Sequence, residues 1–145
     1  MKLKTFFFLL SLSLFINAVN AAQLKPFTTD GCSLFPDGTL ENETLWLECC
    51  IKHDFAYWKG GTYEQRLQAD KELKQCVASL GEEDLAALMY AGVRLGGSPY
   101  SIMDYRWGYG WSPNPGYRSL SENERELVES RLPDDLPKNI TSSID

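Results

Sequence analysis

The chain has 145 residues with 14 Lys and Arg, 20 Asp and Glu and a single His, a formal net charge of −6. That length points to one domain. The acidic balance argues against nucleic acid, whose phosphates require clustered Lys and Arg, and against simple electrostatic attraction to anionic lipid.

In chain order, Lys2 and Lys4 precede an apolar run from Phe6 to Ile16 and a small-residue stretch from Asn17 to Ala22. This is the layout of a secretory leader. A short membrane anchor is the competing reading, and the small residues favour cleavage, placed after Ala21 with Ala22 as the near alternative. The expected organisation is a leader at 1–21, a domain at 22–132 and a flexible tail at 133–145. Without the leader the charge falls to −8, since it carries two of the lysines and no acid. No later stretch approaches membrane-spanning length. The expected location is secreted or periplasmic, and a monomer is expected.

Four cysteines follow the leader: Cys32, Cys49, Cys50 and Cys76. In an exported small chain an even count reads as two disulfides. Three pairings are possible, and Cys49 with Cys50 suits disulfide geometry least. A zinc site from these cysteines and His53 is the alternative, but paired C-x-x-C spacing is missing.

Gln23 to Thr29 reads as an extended lead-in, and Asp30 to Thr39 as a loop rich in turn residues. A helix is expected from Glu43 to Lys59, with Trp46, Cys49, Cys50, His53 and Tyr57 on one face. Gly60 and Gly61 stop it. Thr62 and Gln65 form a capping box for a second helix to Leu80, with Tyr63, Leu67, Leu73, Cys76, Val77 and Leu80 on its apolar face. A third helix is expected from Glu83 to Leu95. Residues 100–117 hold six Tyr and Trp among Gly and Pro. They read as a loop or short hairpin covering the core, or as a lipid- or substrate-facing surface. A polar helix from Ser121 to Arg131 carries a second capping box at Ser121 and Glu124.

Chemistry concentrates on the first two helices. His53 and Asp54 are neighbours, so they point about 100° apart and cannot bond each other. They can serve adjoining roles at one opening. Asp70 lies between Leu67 and Leu73 on an apolar face, where a carboxylate is costly unless paired. Across an antiparallel pair of helices His53 is its obvious partner, with Tyr57 one turn further on. A buried carboxylate of this kind fixes the imidazole tautomer. Solvation beside Lys71 and Lys74 accounts for Asp70 equally well from spacing alone.

Cys49-Cys50-Ile51-Lys52-His53-Asp54, followed by Tyr57, Asp70 and Cys76 and preceded by Cys32, resembles the C-C-x-x-H-D region of secreted phospholipases A2. The resemblance covers Asp30 to about Cys76. It implies a mainly α fold with two long antiparallel, disulfide-linked helices behind a calcium-binding-type loop. It also implies disulfides Cys32–Cys50 and Cys49–Cys76, His53 as general base, Asp70 as its orienting partner with Tyr57 bonded to it, and Asp54 as the carboxylate ligand of Ca²⁺. Loop carbonyls of Gly31, Ser33 and Phe35 would complete the ion's shell, since a hard cation needs six to eight oxygens. The Ser33 amide is a candidate oxyanion donor. The implied activity is calcium-dependent cleavage of the sn-2 ester of a phospholipid, at a membrane or micelle interface.

The loop departs from the family's glycine-rich pattern, reading Ser33-Leu34-Phe35-Pro36-Asp37-Gly38. Either it takes a different path, with Asp37 as an added ligand, or calcium binds weakly. Two other functions are therefore carried forward: a non-catalytic binding or toxin-like module on the same scaffold, and a hydrolase of another cell-envelope ester.

Overall fold

The structure is a computed structural model that describes residues 22–134 and Leu136. The expected leader, residues 1–21, and most of the expected tail lie outside the described residues. The fold is mainly helical, in the order β1 (Gln23–Leu24), α1 (Leu47–Lys59), α2 (Tyr63–Ala78), α3 (Glu83–Gly96), β2 (Trp111–Ser112) and α4 (Glu122–Ser130). Helix α2 packs against both α1 and α3.

Helix α1 begins one turn later than its apolar pattern predicts. Residues before it are held in tighter turns, with Leu45 N–H donating to Asn42 O and Leu47 N–H to Thr44 O. Trp46 anchors the entry: its indole donates to Pro36 O at 2.7 Å and its amide to Asp37 O. The helix stops where expected, at Gly60, with φ of 68°. Both capping boxes are present, Thr62 with Gln65 on α2 and Ser121 with Glu124 on α4.

The disulfides are Cys32–Cys50 and Cys49–Cys76. The adjacent cysteines of α1 thus reach in opposite directions, one to the loop before the helix and one to α2. Each closes a loop of a size that stabilises by about 3 kcal/mol in the chain-entropy model. The cysteines join Trp46, Leu73, Val77, Ala86 and Met89 in one core cluster. With all four cysteines oxidised, the alternative zinc site has no thiolate ligands.

The other side of α1 is equally buried. Phe55 and Trp58 pack with Leu24, Trp111 and Val128. The cover comes from an antiparallel pairing of β1 with β2, Leu24 opposite Trp111. The aromatic stretch therefore pairs with the lead-in rather than with itself. Its packing role lies at the end of α1, where the last carbonyls of a helix lack partners. Gly108 N–H donates to Tyr57 O and Gly110 N–H to Trp58 O. The Trp111 indole donates to Lys59 O at 2.8 Å and the Trp107 indole to Gly61 O at 2.9 Å. So close an approach requires glycine: a Cβ at Gly110 would lie 2.5 Å from Trp58 Cδ1.

One expectation needs correction. Tyr63 is half-exposed, because the inner face at the start of α2 is formed by Arg66, Ala69 and Asp70 instead, and Leu80 lies beyond α2, which ends at Ala78. Leu136 packs against the Phe55–Trp58 cluster.

Gly110→Ala should destabilise the fold by about 1–3 kcal/mol, the usual cost of overpacking. Gly96→Ala, which meets nothing within 4 Å, should be near neutral. Urea denaturation of both variants checks this contrast.

Candidate functional site

Helices α1 and α2 meet in opposite chain order: Cys49 with Cys76, His53 with Asp70, Tyr57 with Arg66. They are therefore antiparallel, and the disulfide fixes their register one turn from His53. His53 Nε2 lies 2.8 Å from Asp70 Oδ1. The Tyr57 hydroxyl donates to the same oxygen at 2.7 Å. Asp70 is 0% exposed, so the paired reading holds and the solvated one does not.

Two guanidinium groups meet this carboxylate. Arg94, in the last turn of α3, donates from Nη1 to Asp70 Oδ2 at 2.6 Å. Arg66 Nε stands 3.8 Å from Oδ2 and donates to the Tyr57 hydroxyl at 3.0 Å. The rest of Arg66 donates to the Tyr117 hydroxyl and to the carbonyls of Val93 and Arg94. Burial opposes the charge on Asp70, but hydrogen bonds from His53, Arg94 and Tyr57 outweigh it and hold the carboxyl below its ordinary range. Burial and the Asp70 charge both push the Tyr57 phenol up, so it stays a proton donor. Among the described residues no fully buried side-chain nitrogen or oxygen lacks a partner.

Asp54 sits on the other flank of α1. It is 5% exposed. Its Oδ2 accepts from the Thr29 hydroxyl at 2.6 Å, and the Asp30 amide also donates to it. Burial pushes its pKa up to about 7; the Thr29 bond works against this rise and the nearby Asp30 charge adds to it. The Tyr109 hydroxyl donates to Thr28 O and so ties the aromatic segment to the chain beside Asp54.

His53 and Asp54 open on one cavity of about 310 Å³, despite diverging from the helix axis. Gly31, Ser33 and Phe35 line it, as does Asp30, and Leu34, Met89 and Met103 give it an apolar wall. Asp37 is placed elsewhere: its Oδ1 accepts from the Cys32 amide at 2.9 Å, beneath Gly31, so it braces the loop from behind. The loop turns twice through the left-handed region, at Gly31 with φ of 74° and at Ser33 with φ of 53°. For serine that costs roughly 1–2 kcal/mol. The Ser33 hydroxyl bonds Asp30 Oδ1 at 2.9 Å. A smaller groove, about 210 Å³, lies on the opposite side of His53 between α1 and α2, with Lys52, Lys59, Gln65 and Gln68 around it.

A divalent cation can be judged against these donors. Among the described residues no three His, Cys, Asp or Glu side chains gather into a metal cluster. The oxygen groups near Asp54 are the Asp30 carboxylate and the hydroxyls of Thr29 and Ser33, and Gly31, Ser33 and Phe35, whose carbonyls are the expected ligands, line the same cavity. That chemistry fits calcium rather than a transition metal. A buried carboxylate held near a pKa of about 7 also gains from a neighbouring positive charge.

Three partners of the site escaped sequence reading. Arg66 carries a usable signal, being four residues before Asp70 on one helix, the spacing of an ion pair. Arg94 interrupts the apolar pattern of α3, a weaker sign. Thr29 lies in a lead-in with no pattern at all.

The raised pKa of Asp54 has a definite consequence for stability. The folded state binds its proton more tightly than the unfolded chain, whose value is near 3.8. The stability gained is therefore full below about pH 4, and it is lost as pH rises toward 7. In chelator at pH 8, Asp54→Asn should melt higher than wild type by on the order of 5 °C, and that advantage should vanish at pH 4. Calorimetry at the two pH values measures it.

Comparison of the chain with protein-family models, with curated proteins and with solved structures gave no match, so its function is argued from the arrangement around His53, Asp70 and Asp54.

Proposed function

We propose that the protein is an exported, phospholipase A2-like hydrolase that cleaves the sn-2 acyl ester of phospholipids with calcium. The observation that carries this reading is the His53–Asp70–Tyr57 arrangement on the wall of an apolar cavity that Asp54 shares. The two disulfides, and the lack among the described residues of any helix long and apolar enough to cross a membrane, agree with a secreted or periplasmic location. The C-C-x-x-H-D resemblance supports the same family and its fold.

Each residue then has a role in this reading. Asp70 accepts from His53 Nε2, which leaves Nδ1 to take the proton from a water in the cavity. Tyr57 shares Asp70 Oδ1 and holds it toward the imidazole. Asp70, kept ionised by its hydrogen bonds, stabilises the imidazolium that forms. His53 can then return the proton to the departing alcohol oxygen. Asp54 and the carbonyls of Gly31, Ser33 and Phe35 would hold calcium. When bound, that ion polarises the ester carbonyl and stabilises the oxyanion. Leu34, Met89 and Met103 would receive the acyl chain.

One observation favours a second reading, a binding module on the same scaffold. Thr29 and the Asp30 amide already satisfy Asp54, which leaves the carboxylate bonded to its own loop.

Fatty acid release from mixed micelles decides between them. Calcium-supported release should fall by about 10²–10⁴-fold in His53→Gln, the contribution of a general base, and by a comparable factor with chelator. Release that survives both treatments overturns the mechanism. Calcium binding by calorimetry without any release selects the binding module.

A further inference from the structure

The buried carboxylate of Asp70 is pulled by two cations from different directions. Arg66 lies four residues earlier on α2, level with Tyr57 of α1, and so on the far side of Asp70 from the Cys49–Cys76 disulfide. Its Nε is 3.8 Å from Oδ2. Alone, it would draw the carboxylate along α2 toward Tyr57, away from His53. Arg94 approaches from α3 and takes Oδ2 at 2.6 Å. Its own position is fixed by Tyr63, whose hydroxyl accepts from Nη2 at 3.0 Å and whose ring lies 5.3 Å from the guanidinium carbon. The two carboxylate oxygens are thereby divided. Oδ2 faces Arg94, and Oδ1 is kept for His53 and Tyr57.

We propose that Arg94 is a positioning residue for His53, acting through Asp70: by holding Oδ2 it keeps Oδ1 in line with His53 Nε2 and so fixes which imidazole nitrogen faces the cavity. Arg94 lines neither of the two cavities beside His53, so direct contact with substrate does not explain its placement. Burial works against its charge, while the bond and charge of Asp70 outweigh this and keep it protonated. Helix α3, which supplies no reacting group, becomes part of the machinery through this one side chain. The inference rests on the hydrolase reading for its consequence in turnover, but its geometric content does not need turnover.

Because the chain has a single histidine, a long-range ¹H–¹⁵N spectrum reads His53 without overlap. Wild type, Arg94→Gln and Arg94→Lys are compared at one alkaline pH, with the melting midpoint of each and with kcat and KM for micellar phospholipid. Wild type should show the Nε2-protonated tautomer. Arg94→Gln should show a tautomer mixture, with kcat lower by about 10–100-fold, the usual effect of slight misplacement, and KM little changed. Arg94→Lys, which keeps the charge, should recover the wild-type tautomer and most of kcat even where its melting midpoint stays low. A wild-type spectrum in Arg94→Gln overturns the proposal. So does an Arg94→Lys variant as impaired as Arg94→Gln in both spectrum and kcat. If wild type releases no fatty acid, the hydrolase reading falls, and the tautomer comparison alone decides the role of Arg94.

Discussion

A carboxylate with no exposure to water organises this molecule. Asp70 sits where an apolar side chain would be cheaper, and its charge survives only because hydrogen bonds surround it. The hydrogen bonds come from His53 and Tyr57 on α1 and from Arg94 on α3, and Arg66 on its own helix adds an ion pair at 3.8 Å. Satisfying one buried charge thus fixes the relative placement of three elements. Hydrophobic contact alone specifies less, since apolar surfaces slide with little penalty and hydrogen bonds do not.

The disulfides act at the two ends of the same problem. Cys49–Cys76 pins α1 to α2 one turn from the His53–Asp70 pair. Cys32–Cys50 pins the loop to the turn of α1 that carries His53 and Asp54. Because the two cysteines are adjacent, two successive turns of helix hold the partner helix, the loop, the imidazole and the second carboxylate. Asp54 and Asp70 then differ sharply in environment. One is surrounded by donors and driven toward ionisation; the other is buried beside a second acid and driven toward its neutral form.

Much of this was legible in the residues, and the limits have physical causes. The helices, both capping boxes and the Gly60 stop are local features, written in periodicity and in short side chains that satisfy nearby amides. The pairing of His53 with Asp70 was one of two readings that spacing allowed once the helices were taken as antiparallel, and the complete burial of Asp70 decides between them. Arg66 and Arg94 were missed because a long side chain can reach a buried charge from a position whose pattern looks polar or apolar. The strand pair between Leu24 and Trp111 was missed because two residues per strand leave no alternation to read. Asp37, whose Oδ1 accepts from the Cys32 amide, shows a related limit. An acid in a turn serves its own backbone as readily as a cation, and only the fold shows which.

The capped end of α1 sets a limit on what part of the chain can stand alone. The three helices that carry His53, Asp70 and Arg94 end at Gly96, yet the carbonyls of Tyr57, Trp58 and Lys59 find their donors between Gly108 and Trp111. The Tyr109 hydroxyl reaches back 81 residues to Thr28. A fragment trimmed to the helices would keep every residue assigned to the chemistry and still leave the floor beneath them with unpaired carbonyls and an uncovered Trp58. The smallest unit able to hold the imidazole in place therefore extends well beyond the residues that surround it, and any minimal version has to keep the aromatic segment and the first strand together.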